Sequence, residues 1–460
     1  MSGRVNERVN DRAGDEASSR IGDQAGGRTG RRVGGPTGGP DAAAPGPHDR
    51  RGGPLAARTS GTGDGEAPAG GLSWSSPDFC ADPYAALAGH GRGPLVRDDT
   101  LEGWIVLPHG ENVRVLTDTR FAKDPRKAVD GPYTRMQRAM AGSSMMFMDD
   151  PDRRRVRGLV SRAFTRRRVD TMRPHVEALA RACLDAVAGR ASFDLMAAYA
   201  VPLAISSIAS LLGIDDADLA RFKTWSEDLA LEYAPAHTEE TSARIARSRD
   251  ELVLYFVEAV ERRGRDPRED LITALVHAHD ERDQLSLEEL ISTLVMLLVA
   301  GNLTTTDLIG NGVLALLRHP AQWEELRRDR SLLPGAVEEI LRYDSPVTVT
   351  DRIATEDLEV GGCPVARGEW VWAGLVAANH DPTRHPDPER FDIHRERVDH
   401  LSFGVGSHLC LGASLARLEA RVALEVLLDR CPGLTLDPDR PPVRRAIPAF
   451  RGLSELWVRP

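Results

Sequence analysis

The stretch SLEELISTLVMLLVAGNLTTTDLIGNGVLALLRHP, Ser286 to Pro320, constrains this chain more than any other, because it reads as one helix that is apolar almost all round. Such a helix has to be wrapped by other elements. Ser286 with Glu289 three residues on makes a capping box, and Leu285 can pack on Leu290 as a hydrophobic staple, so its start is well specified. Pro320 ends it after His319. At 1.5 Å per residue it is roughly 50 Å long, enough to cross a whole domain. The chain of 460 residues, 41% apolar, can supply the core it needs. Its longest apolar run, Leu290 to Gly301, is broken by Ser292 and Thr293 and falls short of the ~20 residues that span a bilayer, so no transmembrane helix is expected. Halfway along, Gly301, Asn302 and three threonines interrupt the apolar surface, and that interruption asks for a functional reason.

Helical periodicity recurs at Arg153 to Thr165, Val169 to Ala188, Leu203 to Leu212, Asp216 to Leu231, Thr241 to Arg263, Leu271 to His279, Pro334 to Tyr343 and Leu411 to Asp429. Short β-like runs at Gly103 to Leu107 and between Val347 and Trp372 predict a small sheet. The expected fold class is mainly α with minor β. Residues 1–72 hold Gly, Arg, Asp, Pro and Ala with almost no large apolar side chain, so a disordered tail is expected before a single domain at 73–460.

Acidic residues outnumber basic ones, 69 to 59, and the net charge of -10 argues against a nucleic-acid partner. The five cysteines are an odd, scattered set without CxxC, which fits neither a disulfide framework nor a zinc site. No apolar h-region follows the N-terminus. A cytoplasmic protein with no membrane partner is therefore expected, and its Arg, Ala and Gly content hints at a GC-rich bacterial genome. No GxGxxG or P-loop follows a strand, so a nicotinamide, flavin or nucleotide site is not expected within the chain.

In FGVGSHLCLG, Phe403 to Gly412, two glycines precede a cysteine at the start of an amphipathic helix. Unpaired N–H groups and positive potential at a helix N-terminus favour thiolate over thiol. Gly404 and Gly406 permit a tight loop that can approach a flat ligand. A lone cysteine in such a place is more often a small buried hydrophobe. Here Phe403, Gly404, Gly406, His408, Cys410 and Gly412 match FGxGxHxCxG, and the segment resembles the haem-binding signature of the cytochrome P-450 family. The resemblance implies the fold of that family, with haem b between the long helix and the cysteine loop. It also implies that Cys410 is the axial thiolate ligand of the iron, a ligand class that favours O–O cleavage, and that His408 reaches a propionate.

Further segments carry the resemblance across most of 73–460. Glu339 and Arg342 in EEILR match the family's ExxR element, and Arg390 in DPERF is expected to complete a structural charge network with them. Arg352 in SPVTVTDR, and Arg157 in DPDRRRVRGLVSRAFT, fall on the family's propionate arginines. Arg153 falls where the family has histidine, and an arginine there can still donate to a carboxylate. Arg154, Arg155, Arg162, Arg166, Arg167, Arg168, Arg417 and Arg421 are expected near the cysteine face, as a basic patch that steers an acidic electron donor. For this family that donor implies a ferredoxin with its reductase.

The interrupted helix resembles the family's AGx(D/E)T(T/S). Ala300 and Gly301 then leave room for O2, and Thr304 has an acid-base role in oxygen activation. Its hydroxyl can equally bond back to the Ala300 carbonyl. Where the family has an acid before the threonine this chain has Leu303, which cannot relay a proton. Asp307, one turn on, is a possible substitute through water. The substrate pocket is expected from the loop Ala128 to Met148 and from Met296, Val299, Ala300, Thr348, Val349, Thr350, Ala449 and Phe450. The implied activity is hydroxylation or epoxidation of a mid-sized hydrophobic molecule, in tailoring of a secondary metabolite. Oxidative coupling, desaturation or rearrangement, and a haem-binding sensor without turnover, are the alternatives.

Overall fold

A computed structural model of the chain describes residues 72–89, 93–233, 238–280 and 285–460, all within the compact unit Glu66–Pro460. All but the last residue of the expected tail lie outside the described residues. The long helix is observed at Leu287–Arg318, with Ser286 and Glu289 forming the reciprocal capping box. By length and composition alone it is a helix that can cross a membrane. In this fold it is the axis of the core: Val201–Leu212, Leu219–Ala230, Glu239–Arg265, Leu333–Tyr343 and Ala413–Arg430 all pack against it. Leu290, Leu294, Leu298, Val313 and Leu316 are fully buried among them.

The other expected helices are present with shifted ends. Val169 to Ala188 divides into Arg166–Thr171 and Arg173–Asp185, the second opened by a proline in its first turn. Asp216 to Leu231 starts as a 3-10 turn, Asp216–Asp218, and continues as Leu219–Ala230. Two helices that begin at prolines, Pro132–Ala141 and Pro320–Arg328, are additional. Pro320 thus stops one helix and starts the next.

Beside the helices lies a five-stranded sheet in the order Leu95–Asp98, Gly103–Val106, Trp370–Gly374, Val349–Ala354, Phe121–Ala122. Gly103–Val106 runs parallel to Trp370–Gly374, and the remaining pairs are antiparallel. Near the C-terminus a hairpin pairs Val443–Arg444 with Leu453–Glu455.

Glu339 and Arg342 are fully buried and meet as a two-pronged ion pair, both N–O distances 2.8 Å. Arg342 also donates to the carbonyls of Pro388 at 2.8 Å and of Asn379 and Arg390 at 3.2 Å. The third member differs from expectation. Arg390 contributes only its carbonyl, because its side chain points to solvent and pairs with Asp392. Arg395 takes the place, donating to Glu339 at 3.1 Å and to the carbonyls of Pro386, Asp387 and Arg390. A charged donor that closes a buried carboxylate is worth about 2 kcal/mol, whereas an exposed pair is worth under about 1 kcal/mol. Arg395→Ala is therefore expected to lower the denaturant midpoint clearly and Arg390→Ala hardly at all. Equal losses for the two variants would contradict this assignment.

Candidate active site

Two left-handed glycines shape the cysteine loop, Gly404 at φ 65° and Gly406 at φ 77°. A β-carbon on Gly406 would fall 2.7 Å from the Leu116 carbonyl oxygen, so no other residue fits. The Cys410 N–H donates to the Phe403 carbonyl at 2.9 Å and the Gly404 N–H to the Leu401 carbonyl at 2.7 Å, which closes the loop. The helix Ala413–Arg430 begins just beyond, with Gly412 as its cap.

Cys410 is solvent-accessible, yet protein surrounds it on most sides, so its sulfur lies in a recess. Burial dominates its proton affinity and raises the thiol above its ordinary pKa. The Gly412 N–H, the Arg157 and Arg417 guanidiniums and the Ala413 N–H pull the other way with less effect. The helix start thus does not release the proton unaided, which differs from the sequence expectation. A metal ion held by the sulfur would complete the thiolate there.

The helix Asp152–Ala163 lies alongside the loop. Arg153 donates to the Ser407 carbonyl at 2.7 Å and pairs with Asp150 at 2.8 Å, and Arg157 donates to the Leu409 carbonyl. Arg352, buried on its strand, donates to the Asp351 carbonyl at 2.7 Å. Lys123, buried as well, pairs with the Asp351 carboxylate. Burial, and then the charges of Arg352, Lys123, Arg153 and Arg157, push the His408 imidazole down to about 2, so it is neutral.

These residues fit a haem. Four cations converge on a neutral imidazole, and of these four only Arg153 and Lys123 have a carboxylate partner, Asp150 and Asp351. Arg157, half-buried, and Arg352, buried, have no carboxylate ion pair among the described residues, the setting a bound carboxylate satisfies. Cys410 would hold the iron. Arg153, Arg157, Arg352 and His408, with Lys123 added, would face the two carboxylates, and Phe403, Gly404 and Gly412 would frame the loop.

The long helix is buried on most sides, but Met296, Val299, Ala300, Leu303 and Thr304 are accessible. Their spacing, i, i+3, i+4, i+7 and i+8, is one continuous face. Gly301 turns elsewhere: a β-carbon there would meet Ile208 at 3.2 Å, so its role is to let two helices approach. Thr304 Oγ1 donates to the Ala300 carbonyl at 2.8 Å. Asp307 does not reach this face as a free acid; it is fully buried and paired with Arg445. Of the expected pocket residues, Thr348 and Val349 are buried, and the Thr348 hydroxyl donates to the Pro448 carbonyl at 2.6 Å. Thr350, Ala449 and Phe450 are partly accessible.

The basic patch is smaller than expected. Arg155 pairs with Glu289, and Arg417 pairs with Glu338 while lying 4.5 Å from the Phe403 ring centre. Arg154 pairs with Asp150 but stays exposed, and Arg162, Arg166 and Arg167 are exposed too.

A thiol recess, a flanking cluster of unbalanced cations and a one-sided accessible stripe on the core helix together define a haem-thiolate oxygenase. The chain belongs to the cytochrome P-450 family. The family's sequence model, cytochrome P-450, matches residues 220–445. The chain is 40% identical over 392 residues to the cytochrome P-450 monooxygenase PikC of Streptomyces venezuelae, covering 83% of this chain and 92% of the relative. It is 39% identical to the 6-deoxyerythronolide B hydroxylase of Saccharopolyspora erythraea, covering 78% and 90%. The crystal structure of the myxobacterial cytochrome P-450 CYP267B1 in complex with myristic acid superposes with a TM-score of 0.76 at 38% identity, covering 83% and 97%.

Two buried groups escaped the reading by motif. Nothing around Lys123 in FAKDP marks it as buried. Glu419 does leave a signal, because it occupies a core-facing register of the helix Ala413–Arg430, between Leu415 and Ala423. Its carboxyl is buried beside the hydroxyls of Ser207 and Thr305, and burial raises it from 4.5 to about 8 against their weaker opposing effect. The folded chain therefore keeps this proton where the unfolded chain loses it. The stability it contributes is complete below about pH 4.5 and is lost as pH rises through about 8. Glu419→Gln, which cannot ionise, is expected to unfold at a higher temperature than the parent near pH 8.5, with the difference fading toward pH 5. Parallel melting curves across that range would overturn the assignment.

Proposed function

We propose that this chain is a haem b monooxygenase that inserts one oxygen atom from O2 into a mid-sized hydrophobic molecule, by hydroxylation or epoxidation, during tailoring of a secondary metabolite. The carrying observation is the accessible stripe Met296, Val299, Ala300, Leu303 and Thr304 on a helix that is buried on most sides. The monooxygenase and hydroxylase names of the relatives support the reaction class. So does the polyketide biosynthesis cytochrome P-450 PksS of Bacillus subtilis, 34% identical, for the metabolic setting.

Bound haem, held through Cys410, would supply the oxygen activation. The chain's own residues do the rest. Ala300, the smallest side chain on the stripe that bears a β-carbon, leaves space for O2, and Met296, Val299 and Leu303 offer apolar contact to substrate and keep water out. Thr304 holds a proton on Oγ1 and is the hydroxyl that presents it to the reacting oxygen, its resting bond to the Ala300 carbonyl keeping the side chain oriented. Leu303 offers no proton of its own, and Asp307 is engaged with Arg445, so proton supply is slow or assisted by the substrate. That restriction also favours a second reading, in which the same site performs oxidative coupling, desaturation or rearrangement. Electrons come from a ferredoxin and its reductase in the cytoplasm, a setting in keeping with five unpaired cysteines.

The reduced protein with carbon monoxide is expected to give the red-shifted Soret band of a thiolate-ligated haem, and Cys410→Ser to abolish it. A band at the position of a histidine-ligated haem in the parent protein would sink the assignment. Leu303→Glu is expected to raise product formed per reduced cofactor, and unchanged coupling and rate would refute restricted proton supply. Reversing Arg162, Arg166 and Arg167 to glutamate is expected to raise the KM for an acidic ferredoxin about tenfold at low salt, with the effect shrinking at high salt. A salt-independent KM, equal to that of the parent, would remove these arginines from the docking face.

A further inference from the structure

The C-terminal hairpin carries Ala449 and Phe450 at its tip, and two different sets of bonds hold it. One set ties the tip to the segment leading into the sheet: the Thr348 N–H donates to the Ala449 carbonyl at 3.1 Å and the Arg451 N–H to the Pro346 carbonyl at 2.8 Å. The other ties the hairpin to the long helix. Arg444 donates to the Asn311 side-chain oxygen at 2.6 Å, the Asn311 amide donates to the Arg451 carbonyl at 2.8 Å, and Arg445 pairs with Asp307. Asp307 is the single charge on that helix between Glu289 and Arg318, and it lies one turn beyond Leu303 and Thr304.

The pair has unusual chemistry for a purely structural bond. Asp307 Oδ2 and Arg445 Nε are buried without hydrogen-bond partners. Nearby Asp344, by contrast, is closed on both oxygens, by Arg444 at 2.6 Å on one and by Arg451 on the other. A buried ion pair with unfilled capacity gives little net stability, since desolvation offsets much of the attraction. It does fix a position. Any β-carbon on Gly452 would collide with the Asp307 carboxylate and the Arg445 guanidinium, so the pair lies flat against the hairpin backbone. The Arg445 N–H donates to the Gly452 carbonyl at 3.1 Å, which closes the tip loop at the same point.

We infer that Arg445, acting through Asp307, is the positioning residue that sets how far the hairpin tip advances over the accessible stripe, and so the length of hydrophobic substrate the pocket admits. The inference rests on the reading that Ala449 and Phe450 line the pocket. The acid missing beside Thr304 thus has a counterpart one turn away that holds the wall of the pocket.

The test uses the haem-loaded protein and a series of 1-alkylimidazoles of rising chain length, whose ring nitrogen ligates the iron and whose tail probes the pocket, with dissociation constants read from the Soret shift. Arg445→Ala and Asp307→Asn are each expected to favour the longer members over the shorter by about tenfold, the worth of roughly one methylene in an apolar pocket. The double variant should do no more than either single one, as for two residues acting as a unit. Arg445→Lys, which keeps the charge and loses the fork, should fall between. Phe450→Ala tests the underlying reading and should also change the chain-length order. If it does so while Arg445→Ala and Asp307→Asn change only the melting temperature, the pair is structural and the inference is overturned. If Phe450→Ala leaves the order unchanged, the pocket reading fails and the inference falls with it. Should Arg445→Ala not fold, Asp307→Asn and Arg445→Lys decide the same question.

Discussion

An apolar helix roughly 50 Å long has to be covered on nearly every side, and the rest of this fold is arranged to cover it. The helices Val201–Leu212, Leu219–Ala230, Glu239–Arg265, Leu333–Tyr343 and Ala413–Arg430 all pack on Leu287–Arg318. The face they leave accessible includes Met296, Val299, Ala300, Leu303 and Thr304, on the turns that carry Ala300, Gly301 and the start of the run of three threonines. The proposed site is therefore a gap in a core. Because the cysteine loop leads straight into one of the covering helices, the position of Cys410 is tied to the same packing.

Electrostatics separate what holds the fold from what waits for a ligand. Glu339 is shared by Arg342 and Arg395, and the remaining donors of both arginines are taken by carbonyls. Such a buried set resists loss of any member, since the partner left behind is an uncompensated charge. Around His408 the balance is open. Arg157 and Arg352 lack a carboxylate ion pair among the described residues, in a protein whose net charge is -10. Local positive excess against a negative whole is how a site recognises an anionic group without drawing nucleic acid.

Much of this was legible in the sequence because it depends on local rules. The capping box at Ser286 and Glu289, the helix ending at Pro320 and the glycines before Cys410 follow from backbone chemistry that a few residues determine. What was misread depends on distance in space. Arg390 and Arg395 lie on the same loop, and only the folded chain decides which side chain turns inward to Glu339. Lys123 gains its place from Asp351 across the sheet. Thr348, expected in the pocket with Val349 and Thr350, is turned into the base of the hairpin tip through its bond to Pro448. At Cys410 the helix terminus is local and visible, whereas the burial that raises the thiol belongs to the whole fold.

The threonine run now divides by neighbour. Thr304 alone faces the accessible stripe, Thr305 turns to Glu419, and Thr306 is buried with its hydroxyl unpaired. Acids surround this part of the helix without reaching the stripe: Asp307 lies beneath the hairpin and Glu419 behind the helix. A carboxylate on the stripe would have to be desolvated by each apolar substrate that binds, a cost of several kcal/mol for a buried charge. Leu303 removes that cost and strengthens apolar contact, at the expense of a ready proton. In the proposed site this position trades proton supply for apolar contact, and Asp307, one turn on, is paired with Arg445 of the hairpin instead.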